Sequence, residues 1–227
     1  MTLQEAIVAR HSVRQYLEKP IEAEKINVIK ACVEECNAQG GLHIQVVTDE
    51  PTAFQSGLAK YGKFCNVNYY LALVAPKDKA FDEMTGYYGE HIVLLMQTLG
   101  LNSCWVALTF KKVKDAFTVA DGEELKAVIA FGYGAYQGRQ HPQKRTIADV
   151  AVNKSGADYP EWFVRGMEAA LLAPTAMNQQ RFEFVLVESN RVEAKPRFAF
   201  NPYSRLDLGI VKYHFELAAG KENFIWI

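Results

Sequence analysis

Hydrophobic residues along this chain change their spacing from one stretch to the next, and the changes mark out elements. Thr2 and Glu5 form a capping box, which predicts a short helix to about Val8. Ile26, Ile29 and Val33 recur at helical spacing and predict a second helix over Glu22 to Glu35. "LHIQVV" then reads as a strand, and Pro51 opens a helix at the first-turn position where proline is tolerated. "YYLALVA", "SCWVAL" and "LKAVIAFGYG" are continuous apolar runs, as expected of buried strands. Between the first two lies a long helix, Lys79 to Gly100, whose second half "HIVLLMQTLG" is apolar nearly all round and therefore central. After the polar, basic segment "AYQGRQHPQKRTIADV" the rhythm repeats in shorter form. Pro160 starts a helix through Leu172, "APTAMNQQ" makes a loop, and "RFEFVLVE" is a strand. A helix from Ser204 to Ala219 and a final "FIWI" follow.

Helices alternating with short strands on short connections predict an α+β fold, with helices packed around a mixed, mostly antiparallel sheet. Two stretches share a layout: "IKACVEECNAQGGLHIQVV" and "MEAALLAPTAMNQQRFEFVLV" each read as apolar helix, polar loop with an N-x-Q unit, and strand. Asn37 and Gln39 then match Asn178 and Gln180, which suggests an internal duplication or a chance likeness of two helix–loop–strand segments.

Composition narrows the picture only slightly. At 227 residues the chain is long enough for a full core, and one domain is the default count. A net charge of −1 gives no general attraction to nucleic acid or to an acidic membrane surface, so any anion site is local. No apolar run approaches the roughly 20 residues that span a bilayer, and no basic-then-apolar leader pattern opens the sequence; a cytoplasmic location is expected. Four scattered cysteines do not make a disulfide scaffold. Cys32 and Cys36 share a helix face without a second pair at ligand spacing, so they read as small buried apolar residues rather than metal ligands.

Four stretches carry candidate chemistry. "ARHSVRQY" crowds Arg10, His11, Ser12 and Arg14 together, an array of donors suited to an anion such as phosphate, or else a solvated loop. "HPQKR" adds His141, Lys144 and Arg145. "APTAMNQQ" sets Pro174, Thr175, Asn178 and Gln180 in a bend whose paired donors and acceptors suit the edge of a planar heterocycle, or simply end a helix. "GLNSCWV" brings Ser103, Cys104 and Trp105 into a strand, with Trp105 flanking a ring or packing the core. The glycine-rich "GYGAYQG" lacks the following helix and distant acid of a dinucleotide fingerprint. Histidines 43, 91 and 214 lie in apolar or helical contexts and read as structural. No nucleophile elbow, zinc-protease motif or P-loop occurs, which points toward chemistry carried by a bound cofactor.

Together these segments resemble one family. "RHSVRQY" is similar to the R-x-S-x-R signature of the FMN-dependent nitroreductases, "APTAMNQQRF" to their A-P-S-x-x-N-x-Q-P-W segment, and "GLNSCWV" to their G-L-G-S-C-W segment. "AVIAFGYG" with the later Lys144–Arg145 also fits. The chain looks most similar to the subgroup with two fused nitroreductase-like halves, the TM nitroreductase type. The resemblance implies a nitroreductase-like fold, with a first half at 1–150, a shorter second half at 151–227, and one compact internal pseudo-dimer. It implies one FMN held by the loops each half retains: Arg10, His11, Ser12, Lys144 and Arg145 toward phosphate and ribityl chain, and Arg14 nearer the ring. Pro174, Thr175, Asn178 and Gln180 would meet the ring edge or ribityl hydroxyls, with Ser103, Cys104 and Trp105 along the other side. NAD(P)H would supply electrons, and a small flat acceptor such as a nitroaromatic or quinone would take them. A monomer is expected, a homodimer being the other arrangement, with neither nucleic acid nor membrane as partner. Arg181 and Phe182 stand where the family usually has Pro-Trp. A flavin-binding protein without reductase turnover is the alternative function, and an interaction module with no small molecule a third.

Overall fold

A computed structural model describes residues 1–197 and 202–227. Seven α-helices and eight strands alternate along them, an α+β fold. The chain divides into two compact units that interleave in sequence. The first gathers Met1, Ala9–Phe81 and Ile92–Gln140; the second gathers Thr2–Val8, Asp82–His91 and His141–Ile227.

In the first unit β1 (His43–Val47), β2 (Tyr69–Pro76), β3 (Asn102–Val106) and β4 (Glu123–Gly132) form an antiparallel sheet in the order β1-β2-β4-β3. The apolar runs that predicted strands are the central pair, β2 and β4. Tyr70, Ala72, Val74, Val128 and Ala130 enter a cluster with Phe54, Phe64, Cys104 and Val106. Their alternating neighbours Leu71, Leu73 and Ile129 are completely buried as well, so both faces are covered, which is why no polar residue interrupts the run. Each such large side chain contributes roughly 1.5–3 kcal/mol through its burial.

Helix α2 (Ala23–Gly40) packs along β1 and outruns its expected end at Glu35. Asn37 explains the extra turn: its side chain donates to the Ile44 carbonyl at 2.9 Å and accepts from the Ile44 amide at 2.8 Å. Gly41, at φ 61°, then stops the helix in the left-handed region. Asn37 and Gln39 are therefore helical, whereas Asn178 and Gln180 have positive φ, so the two N-x-Q units differ in backbone. Cys32 and Cys36 are buried on α2, as expected. Pro51 opens only a 3-10 turn, Thr52–Phe54, before the short α3 (Gly57–Tyr61). Glu50 caps its start by accepting from the amides of Thr52 and Ala53.

The second unit holds a second sheet, where the sequence reading had one. Strands β5 (Ala151–Asn153), β6 (Phe182–Leu186), β7 (Arg191–Pro196) and β8 (Ile225–Trp226) follow in that order, β6 and β7 antiparallel and the outer pairs parallel. α1 (Leu3–Ala9) gives this unit its residues through Val8, and α5 (Ile147–Val150) precedes β5. α6 (Glu161–Leu171) and α7 (Ser204–Ala219) pack closely on each other. Helix α4 (Ala80–Thr98) contributes Asp82–His91 here and its last turns, from Ile92, to the first unit. Against that stretch α7 lies backbone to backbone: a Cβ on Gly86 would fall 2.0 Å from the Leu206 carbonyl oxygen, and one on Gly209 1.9 Å from that of Glu83. His214 is completely buried; its Nδ1 donates to the Ala169 carbonyl at 3.0 Å and its Nε2 lies 2.8 Å from Glu90. His91 meets the Tyr213 hydroxyl, and His43 pairs with Glu123 at 2.8 Å. All three histidines hold structure together, as the sequence reading expected.

Candidate functional site

In the first unit the arginine segment is tied to its neighbours by isolated bridges rather than as a strand of the sheet. Ser12 pairs in parallel with Ser103, and the Val13 amide donates to the Ser103 carbonyl at 3.0 Å. Farther on, the Cys65 amide donates to Arg14 O and the Tyr16 amide to Cys65 O, while Leu17 and Ala135 bond across to Tyr133 and Gln15. An extended chain brings every second side chain to the same side. The R-x-S-x-R spacing places Arg10, Ser12 and Arg14 at alternate positions of this segment, and Val13 and Tyr16 anchor it in the core. Convergence shows at Cys104: burial pushes its thiol up, against the pull of the Arg14 and Arg10 guanidiniums and a hydrogen bond with Ser12.

Several residues brace this segment that the sequence reading did not single out. The buried Tyr16 hydroxyl donates to the carbonyls of Val13 and Ala130, at 2.7 and 3.1 Å. Asn102 accepts from the Gly134 amide at 3.1 Å and donates to Gln137 at 3.3 Å, shaping the loop after β4. That loop passes His11 so closely that a Cβ on Gly138, at φ 74°, would lie 2.8 Å from the His11 Cβ. A polar residue opening an apolar strand, Asn102 in "GLNSCWV", was the available signal. Of the expected residues here, Arg10, Ser103 and Cys104 are buried, and His11, Ser12, Arg14 and Trp105 are half-buried. Arg14 sits 6.0 Å from the Phe64 ring. A cleft of about 710 Å³ opens in this unit around Phe54, Phe64 and Asn66, but none of the expected flavin residues lines it. The converging donors, rather than the cleft, define the candidate site, because they carry the anion-binding chemistry.

In the second unit the bend after α6 is the corresponding feature. Met177, Asn178 and Gln180 have φ of 52°, 52° and 50°, a left-handed conformation costing about 1–3 kcal/mol for each non-glycine residue. Four ties hold it. The Gln180 amide donates to Thr175 Oγ1 at 3.0 Å, and Gln180 Nε2 donates to the Leu171 carbonyl at 2.6 Å. Asn178 Nδ2 donates to the Pro142 carbonyl at 3.4 Å, which brings the bend beside the "HPQKR" segment with its exposed Lys144 and half-buried Arg145. Lastly, the Ala176 amide donates to both carboxyl oxygens of Asp207, at 2.9 and 3.1 Å. Thr175 and Gln180 are buried, Pro174 and Asn178 half-buried, and Met177 projects at the apex. Gln180 Oε1, although buried, has no hydrogen-bond partner among the described residues.

Asp207 gives a testable pH dependence. Burial pushes its carboxyl from 3.8 to about 7, against the pull of the Ala176 amide. Because the folded form holds its proton longer than the unfolded chain, this contribution to stability is full below about pH 4 and lost as pH rises through 7. The exposed Glu22 and Asp149 and the half-buried Glu123 and Glu183 tilt the other way, held low by hydrogen bonds from Tyr133, the Thr146 amide, His43 and Arg197 respectively. They cancel when wild type is compared with D207N. Urea unfolding from pH 4 to 8 should show the wild type losing stability relative to D207N, by at most on the order of 4 kcal/mol, and levelling above pH 7. A pH-independent difference would remove the buried titration.

The chain belongs to the nitroreductase family described as "Putative TM nitroreductase", whose model matches residues 2–219, and so is an oxidoreductase. A putative nitroreductase from Thermotoga maritima is similar in fold, with TM-score 0.67 and 22% identity over 98% of this chain and 85% of that one. A putative NADH oxidase from Clostridium acetobutylicum matches at TM-score 0.50 and 18% identity, over 63% of this chain and 96% of that one. A putative NADH dehydrogenase/NAD(P)H nitroreductase from Parabacteroides distasonis does so at 0.50 and 18%, over 65% and 95%. No match was found among curated proteins. Among the described residues no helix is long and apolar enough to cross a membrane.

Proposed function

We propose that this chain binds FMN and passes electrons from NAD(P)H to a small flat acceptor of the nitroaromatic or quinone kind. The observation that supports the reading is that Arg10, Ser12 and Arg14 lie near enough to Cys104 for all three to pull on its thiol. Two guanidiniums and a hydroxyl within one five-residue segment suit a phosphate monoester, which takes bidentate and charge-assisted bonds. In the second unit, the buried, unpartnered Gln180 Oε1 suits a ligand donor such as a ring N–H or a ribityl hydroxyl. FMN offers both chemistries.

When bound, FMN supplies two-electron transfer, which no side chain of this protein supplies. The protein's part is binding, orientation and charge. Arg10 and Ser12 would hold the phosphate end, supported by Lys144 and Arg145. Arg14 would place positive charge near the ring and favour its reduced, anionic form. Thr175, Asn178 and Gln180 would fix the ring edge or ribityl chain, their bend held in shape before the ligand arrives. The loops kept by the two halves would serve one flavin per chain, as in a pseudo-dimer, and the cytoplasm would supply the nicotinamide donor.

The purified protein should absorb near ~450 nm, as a bound flavin does. Anaerobic NAD(P)H should bleach that band, and a nitroaromatic or quinone should restore it. Colourless protein that takes up no added FMN would end the proposal. Bound flavin that NAD(P)H leaves oxidised would move the chain to the alternative, a flavin carrier without turnover. Two flavins per chain would contradict a single shared site.

A further inference from the structure

We propose that Asp207 is a positioning residue: its buried carboxyl group holds the Ala176 amide and so sets the shape, and the ligand affinity, of the bend at 175–180. The inference rests on the flavin reading only in naming FMN as the ligand. Asp207 lies on α7, 31 residues beyond the amide it accepts from, and is only 6% exposed. Among the described residues it has no cationic partner. A buried carboxyl without a counter-charge is costly, and here its effect is spent on a single backbone N–H.

That N–H is well placed to matter. Ala176 opens the turn in which Met177 and Asn178, and then Gln180, adopt positive φ. Such a conformation persists only where its surroundings over-determine it. The remaining ties act later in the bend: Asn178 to Pro142, and Gln180 to Thr175 and Leu171. Of the side-chain ties among the described residues, that of Asp207 holds the Ala176 amide at the entry, an amide that a free 3-10 turn would leave to water. Beside it run the main-chain bonds from Thr175 N to the Ala173 carbonyl and from Asn178 N to the Thr175 carbonyl. Without this acceptor the entry relaxes, and Gln180 Oε1 loses its fixed direction. What the bend needs is an acceptor at this point, and negative charge is incidental. Asn in place of Asp keeps an oxygen there, whereas Ala removes it.

The test compares full-length wild type, D207N and D207A by FMN titration and by hydrogen exchange of the Ala176 amide in the flavin-free protein. The wild type and D207N should protect that amide and bind FMN within about threefold of each other, while D207A should lose the protection and bind at least tenfold more weakly. D207A that binds FMN as the wild type does would overturn the inference, and so would D207N as weak as D207A, since charge would then be what counts. Asp207 also lies in the first turn of α7, where a carboxylate supports the helix in general. That role alone predicts no selective change at Ala176. If no variant binds FMN while amide protection still follows the acceptor, the flavin reading fails and the positioning role stands.

Discussion

If the flavin proposal holds, replacing both Arg10 and Arg14 by alanine should leave the purified protein colourless, with the ~450 nm band of bound flavin gone. Each guanidinium would make a charge-assisted contact of about 1.5–3 kcal/mol, so losing both lowers FMN affinity by two orders of magnitude or more. The loss is local. The backbone of segment 10–17 is tied to Ser103, Cys65, Tyr133 and Ala135 through main-chain bonds, which the substitutions leave in place. Arg14→Lys separates charge from shape: it keeps the cation but gives up the planar fork, and binding should fall between wild type and R14A. Circular dichroism checks that the fold survives. A folded double variant with unchanged colour would mean that the flavin, if present, is held elsewhere, for instance in the cleft around Phe64.

The second large effect concerns folding. Gly86→Ala or Gly209→Ala should destabilise the protein by about 3 kcal/mol or more, beyond the common range for overpacking. A methyl group at either position would fall about 2 Å from a backbone carbonyl oxygen, and helical backbone cannot swing aside as a side chain can. The helices would have to separate, opening the buried contacts that α7 makes along most of its length. Gly57→Ala is the control, because a Cβ there meets nothing within 4 Å; it should shift stability by no more than about 0.5 kcal/mol. Thermal unfolding of the three variants decides the matter, and equal melting points would mean that the helices do not cross this closely.

Much of this arrangement was legible along the chain, and the reasons are specific. β2 and β4 lie between covered faces, so burial forces an unbroken apolar run that no loop imitates. Helices α4, α6 and α7 matched their expected spans closely because length and period agree over many residues. The strands that went unread were those whose pairing, not their composition, makes them strands. β5 is three residues of "AVN", and "RVEAKP" of β7 has Val192 as its only fully buried member. Periodicity identifies a strand but not its neighbour, so the second sheet was invisible too. At the site, "RHSVR" was legible because the two-residue spacing of its donors matches an extended backbone. Asp207 was not, since an acid among Leu206, Leu208 and Ile210 gives no hint of the amide it serves. The bend itself shows why: Met177 at φ 52° follows no local preference and is set by ties to distant residues.

The interleaving of the two units bears on how this polypeptide is made. Everything the first unit needs has been translated once residue 140 is added, so it is free to condense when that stretch emerges from the ribosome, while synthesis continues. The second unit has no such option. Gln4 donates to the carbonyl of Leu217, and Glu83 awaits Lys212, so these early residues stay unsatisfied until the chain has grown past residue 217. Contacts that span so much chain are slow to form, and for that interval the nascent protein carries a finished portion beside an unfinished, aggregation-exposed one.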